Sequence, residues 1–251
     1  MQIQEYLSQE KKIYNSILTI LQSKEDDNDD LYQILYHDID AQNIANDKDE
    51  FTELLHILAS ISINCKRTPR LTFSICTILQ HYIDQIKQLF SNFELFNFFK
   101  HDKLILLSLF DNKIITVDEN ISNFIIEKSG VNQQLKQAEV KDEEEEENYE
   151  ENFDEKQNSY LHYEKFFYPE IKSFLSEDQK QLIEKQLFEI NSQIFDQFDQ
   201  KRKTGENDSH ICELIREDSI EEFIVYVNKD CYPLTITINH SIFETNRFLL
   251  K

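Results

Sequence analysis

The chain is poor in the residues that make tight turns. Its 251 residues include 2 Gly and 3 Pro, with 1 Met and no Trp. Gly supplies the positive φ, and Pro the preset φ, on which tight turns depend. Sandwiches, barrels and doubly wound sheets need many such turns. An all-α fold of helices joined by short polar loops is therefore expected. Gly130 and Gly205 lie too far apart to form a glycine-rich phosphate loop. Long apolar runs are missing too. Runs such as Leu104 to Leu107 fall far short of the roughly 20 residues that a membrane-spanning helix needs. The opening MQIQEYLSQE has no basic region followed by an apolar one, so no secretory signal is expected. The cysteines, Cys65, Cys76, Cys212 and Cys231, show no CxxC spacing and no histidine at finger-like distance. This argues against a zinc site and for reduced thiols in a cytoplasmic protein.

Acidity and aromatic side chains are what the sequence has in plenty. Asp and Glu number 48 against 26 Lys and Arg, a formal net charge of −22. A field of that sign repels phosphate backbones and anionic lipid surfaces, so neither nucleic acid nor membrane is an expected partner. It suits solubility and, if a partner exists, a basic protein. With 19 Phe, 11 Tyr and 40% hydrophobic residues, most of the chain has enough apolar surface to fold.

Apolar residues recur in steps of three and four through residues 1–129, the pattern of a helical, bundle-like domain. Ile3, Tyr6, Leu7, Ile13, Tyr14, Ile17, Leu18 and Leu21 mark one face of a first helix. Leu31, Ile34, Leu35 and Ile39 mark a second, with Asp29 and Asp30 near its positive end. Asp49 is the expected cap of a third helix, whose inner face is Phe51, Leu54, Leu55 and Leu58. Thr68 and Pro69 open a long helix running from Leu71 to Phe90. FELFNFF and KLILLSLF are apolar all round and predict buried helices. Asp118 precedes a helix carrying Ile121, Phe124 and Ile125, and the preceding ITV could be extended.

From Glu139 to Glu155, eleven of seventeen residues are Asp or Glu. Such a block repels itself, and residues 130–158 are read as a disordered acidic linker and domain boundary. Tyr149 and Phe153 stand within it as candidate contacts for a basic protein. Residues 159–251 then resume as helix. Ser176 and Gln179 have capping-box spacing ahead of Leu182, Ile183, Leu187, Ile190, Ile194, Phe195 and Phe198. Lys201, Arg202, Lys203 and Gly205 read as the end of that helix rather than as a nuclear signal.

The last segment reads as helix, tight turn, helix. Ser209 is placed to cap the first helix, with Ile211, Leu214 and Ile215 inward. Glu217-Asp218-Ser219 makes the turn, and Ile220, Phe223, Ile224 and Val227 line the second helix. Two short helices cannot bury their faces alone and call for a neighbour. ICELIRED and SIEEFIVYVN resemble the helices of a divergent ankyrin repeat without its TPLH opening. KRKTGENDSHICELIREDSIEEFIVYVNK followed by HSIFETNRFLLK resembles the region before the array in a large family of parasitic-protist ankyrin proteins. DKLILLSLFDNKIITVDENI resembles part of that family's N-terminal domain of unknown function. The resemblance implies protein binding through hairpin tips and a concave helical face, and no catalytic residues. It also implies further repeats after FLLK, so a fragment or truncated member is expected.

Motif chemistry points the same way. HExxH, GxSxG and Cys/His nucleophile signatures are absent, and the seven histidines are scattered. DDNDD at 26–30 lacks the Gly and closing Glu of a calcium loop. No catalytic, cofactor-binding or metal-ligating residue is assigned, and no small-molecule substrate is expected. The function expected is a non-catalytic ankyrin-type scaffold or adaptor. The alternatives are a protein whose acidic linker captures a basic partner, and an enzyme with an unrecognised pocket.

Overall fold

A computed structural model describes residues 2–23, 29–64, 70–140, 162–190, 194–205, 210–229 and 242–243. Among these residues every regular element is helical, so the all-α expectation holds. Two compact units are distinguished, 1–118 and 119–251.

The first unit begins with α1 (Gln2–Gln22) packed on α2 (Asp29–Ala41). Ile13, Ile17, Ile20 and Leu21 of α1 are buried. On α2 the buried stripe is Tyr32, Leu35, Tyr36 and Ile39, whereas Ile34 is 53% exposed. The expected face is therefore rotated: large tyrosine rings fill the interior and a smaller isoleucine is left outside. A 3₁₀ turn at Ile44–Asn46 leads into α3 (Lys48–Asn64). Its cap is Asp47 rather than Asp49: the N–H groups of Asp49 and Glu50 donate to Asp47 Oδ1 at 2.9 and 3.2 Å. Phe51, Leu54, Leu55 and Leu58 are all buried as expected.

Thr68 and Pro69 lie outside the described residues. The helix expected to run from there to Phe90 is divided into α4 (Leu71–His81) and α5 (Ile83–Leu89) at Tyr82. Tyr82 is buried, and its hydroxyl donates to Tyr36 O at 3.3 Å and Asp40 Oδ1 at 3.1 Å. Its ring meets those of Tyr36 and Phe51 edge-on. Hydrophobic spacing continues across this break, because both helices bury the same kind of face. α6 (Asn92–Phe99) starts at a capping box between Ser91 and Glu94, and α7 (Lys103–Asp111) starts at Asp102, which accepts from the N–H groups of Leu104 and Ile105. Both were expected to be buried; Phe96, Ile105, Leu106 and Leu109 are completely so. Residues 114–117 form no strand. Cys76 on α4 is buried and its thiol donates to Ser108 Oγ at 3.1 Å. Burial pushes that thiol up to about 11, so it is a small protonated core group.

The second unit opens with α8 (Glu119–Ser129), which buries Ile121, Ile125 and Ile126. Gly130, at φ +74, ends it. The acidic linker expected from 130 starts as ordered helix instead: α9 (Val131–Val140). Gln133 and Gln134 donate backbone N–H groups to Gly130 O, and Val131 is buried. Helix formation here needs no long apolar stripe, because α9 is held against α12 (Glu177–Ile190) partly by amides. Gln179 donates to Asn132 Oδ1 and Gln186 to Gln134 Oε1, both at 2.8 Å. Residues 141–158, including Tyr149 and Phe153, lie outside the described residues.

Chain order continues through α10 (Tyr163–Phe166), α11 (Tyr168–Ile171) and a 3₁₀ turn at Lys172–Phe174. The Ser176–Gln179 capping box is present in both directions, at 2.9 and 3.2 Å, and opens α12 as predicted. α13 (Ile194–Thr204) ends at Gly205, whose φ of +63 suits glycine at this position. The final helices are α14 (His210–Arg216) and α15 (Ile220–Lys229). After them Phe243 is fully buried and meets Phe198 of α13 edge-on at 5.5 Å.

Candidate interaction surface

The α14–α15 pair is set by its turn. Asp218 has φ +52, the left-handed conformation that Asp tolerates better than most residues. Ser219 N–H donates to Leu214 O at 3.0 Å and Asp218 N–H to Ile215 O at 3.4 Å. These two bonds form a Schellman ending for α14, with Asp218 where glycine is more usual. Ser219 O then accepts from Phe223 N–H at 2.9 Å, which starts α15. The two helices pack on each other.

The apolar residues of this pair divide between inside and outside. Ile211 and Leu214 are buried, as expected. Ile215, expected inward, is 57% exposed. Ile220 and Ile224 are 62% and 51% exposed, and Phe223 is half-buried. Ile220 and Ile224 are one turn apart and share a face. Val225, absent from the sequence-based set, is 65% exposed on the side of Glu221 and Glu222. The side chain of Val227 lies outside the described residues, and so does Ser209. Ile215 faces out because two short helices have too little mutual surface to cover every apolar residue. Spacing alone does not tell which will be left. Glu217, Asp218, Glu221 and Glu222 are all exposed around these side chains.

A second cluster was read from sequence only as a helix end. Arg202 of α13 is buried, with its side chain 5% exposed. Its Nη1 donates to Glu170 Oε2 and Oε1 at 2.7 and 2.9 Å and to Phe166 O at 3.0 Å. Nη2 donates to Asp199 Oδ1 at 2.8 Å. The guanidinium also lies 5.3 Å from the Phe198 ring centre and 5.8 Å from that of Phe166. Burial by itself pulls the guanidinium down, but Glu170 and then Asp199 raise it overall. Arg202 thus ties α13 to α10 and α11 and has no free fork for a ligand. One signal in the sequence pointed there: Phe198, already on the apolar face, is one helical turn before it.

A third group joins α11 to α12 at the surface. Lys172 Nζ donates to Glu184 Oε1 at 2.8 Å, and Tyr168 OH donates to the same oxygen. Lys172 first, and then Tyr168, hold the Glu184 carboxyl below its usual range.

Two histidines serve as aromatic neighbours: His56 meets Phe98 edge-on at 4.9 Å, and His81 stacks on Tyr36 at 3.6 Å. Among the described residues, no group of three His, Cys, Asp or Glu side chains is placed to hold a metal. No helix among them is long and apolar enough to cross a membrane. No family model matches the chain, and neither a curated protein nor a solved structure matches it.

Proposed function

We propose that the chain is a non-catalytic, ankyrin-type protein-interaction module that docks another protein on the outward face of α14 and α15. The observation that supports this is the exposure of Ile215, Ile220 and Ile224, each more than half open to solvent within ten residues. Fully burying such a side chain is worth about 1.5–3 kcal/mol. Covering the half of each that is exposed therefore makes roughly 1 kcal/mol available per side chain. Exposed apolar residues that occur singly need no explanation, whereas a grouped set marks a contact face.

The reading is tested by placing a photoreactive amino acid at position 224 of the full chain, in cells that naturally express it. Adducts with a protein are expected from position 224 and not from Asp111, which is exposed on α7. They should diminish in an Ile220→Ser background. Equal labelling from both positions, or no adduct from 224, would overturn the reading.

A further inference from the structure

We propose that the occupant of the α14–α15 face is a basic amphipathic helix: an apolar stripe flanked by Lys or Arg. This rests on the reading of that face as a docking surface and adds the chemistry of the partner.

The shape argues for a helix. Ile220 and Ile224 form a stripe one side chain wide along α15, with Ile215 at the end of α14 close to it in sequence across the turn. A narrow apolar stripe between polar flanks accommodates the i, i+3, i+4 anchors of an amphipathic helix.

The charge argues for a basic partner. Of the six residues from Glu217 to Glu222, four are carboxylates, and all four are exposed. Glu217 and Asp218 sit on the turn before Ile220, and Glu221 flanks the exposed isoleucines on the first turn of α15, whereas Glu222 lies farther round, beside Val225. The positive end of α15 favours carboxylates there. An arriving surface thus meets apolar side chains with carboxylates at the turn end and along one flank. Lys or Arg flanking an apolar stripe satisfies both features, and opposite charge also speeds encounter. A second copy of the chain satisfies only one. It would bring the same four carboxylates against these four, on top of a net charge of −22 on each molecule. Like charges brought together across such a contact repel even in water.

The test uses the full chain and a synthetic helical peptide of about 18 residues, or five turns, with Leu on one face and Lys on the other. Calorimetry should show binding to the wild type. Ile220→Ser with Ile224→Ser should weaken it about thirtyfold, because two apolar contacts of roughly 1 kcal/mol each are lost. Glu217→Gln with Glu221→Gln should weaken it about fourfold through lost exposed ion pairs, and more salt should mask that difference. The same peptide with its Leu positions scrambled should lose the isoleucine dependence.

Three results overturn the proposal. If the peptide with Gln in place of Lys binds equally well, the face takes helices without regard to charge; the docking reading survives and this inference fails. If the isoleucine variants bind the Lys peptide as tightly as the wild type, its site is elsewhere on this acidic chain. If sedimentation shows a dimer that the isoleucine substitutions dissociate, the occupant is a second copy.

Discussion

Residues 1–118 and 119–251 use similar side chains for different ends. In the first unit, exposed large apolar residues are scattered: Tyr14, Ile34, Ile63 and Phe73 stand on four different helices. In the second, Ile215, Ile220, Ile224 and Val225 stand within eleven residues. The interiors differ as well. α5, α6 and α7 bury Ile86, Phe96, Ile105 and Leu106, with polar groups concentrated at caps such as Ser91 and Asp102. The second unit is pinned at a buried ion pair, Arg202 with Glu170. The first unit also buries a carboxylate, Asp38, which accepts from Lys12 at 2.6 Å, whereas the second combines a buried arginine hub with an apolar face left open. Apolar surface that is grouped and uncovered is where a partner gains most.

This contrast can be tested by substitution, with stability read by denaturant unfolding of the full chain. Phe96→Ala should have the largest effect, about 4 kcal/mol, since its fully buried ring leaves a cavity in the first unit. Arg202→Ala should cost about 3 kcal/mol in the second unit, because Glu170 loses its partner. Arg202→Lys should recover only part of this, because a single ammonium nitrogen cannot replace both Nη1, on Glu170 and Phe166 O, and Nη2, on Asp199. If Arg202→Ala were silent, the ionic hub would not hold the second unit, and the contrast would collapse. Ser91→Ala should cost about 1 kcal/mol through the lost cap of α6.

A pH titration sharpens the first unit's side of the comparison. Hydrogen bonding to Lys48 first, and to Ser91 next, holds the Glu94 carboxyl down to about 2, against an ordinary 4.5. A depressed carboxyl contributes stability that is fully present above the unfolded value and is lost as pH falls toward the folded one. The difference between wild type and Glu94→Gln should therefore be constant above about pH 5 and shrink between about 4.5 and 2. It should be small, because Glu94 is 46% exposed and solvent screens the pair. The smallest stability change is expected for Ile220→Ser, within about 0.5 kcal/mol, although the same substitution should weaken docking about fivefold. A large loss of stability there would mean that Ile220 is core rather than contact surface.

Much of the architecture was legible in the sequence. The Ser176–Gln179 box, the Gly205 ending and the buried face of Phe51, Leu54, Leu55 and Leu58 follow from local rules, and each is found where expected. The misreadings share a cause. Asp47 rather than Asp49 caps α3, and Tyr82 divides a seemingly continuous helix, because side-chain bonds decide both points. α9 replaces the start of the expected linker because amide pairs with α12, a partner distant in sequence, help to hold it. Of the apolar residues read on the last helix pair, Ile211 and Leu214 are buried as expected, Ile215, expected inward, is exposed, and Ile220 and Ile224 are on the surface.

The sequence by itself determined helicity. With almost no Gly or Pro and a repeat of three and four, a helix is the structure that both satisfies the backbone and groups the apolar residues. It also determined the acidity, which needs no fold to be read. Tertiary structure alone decided which apolar residues are covered. Ile34 and Tyr36, or Leu214 and Ile215, look equivalent along the chain and end on opposite sides of the surface. It also decided that Arg202, one of three adjacent basic residues, is buried against Glu170 and two rings. Periodicity records what a helix can bury. Only packing against distant segments settles what it does bury, and hence what is left for a partner.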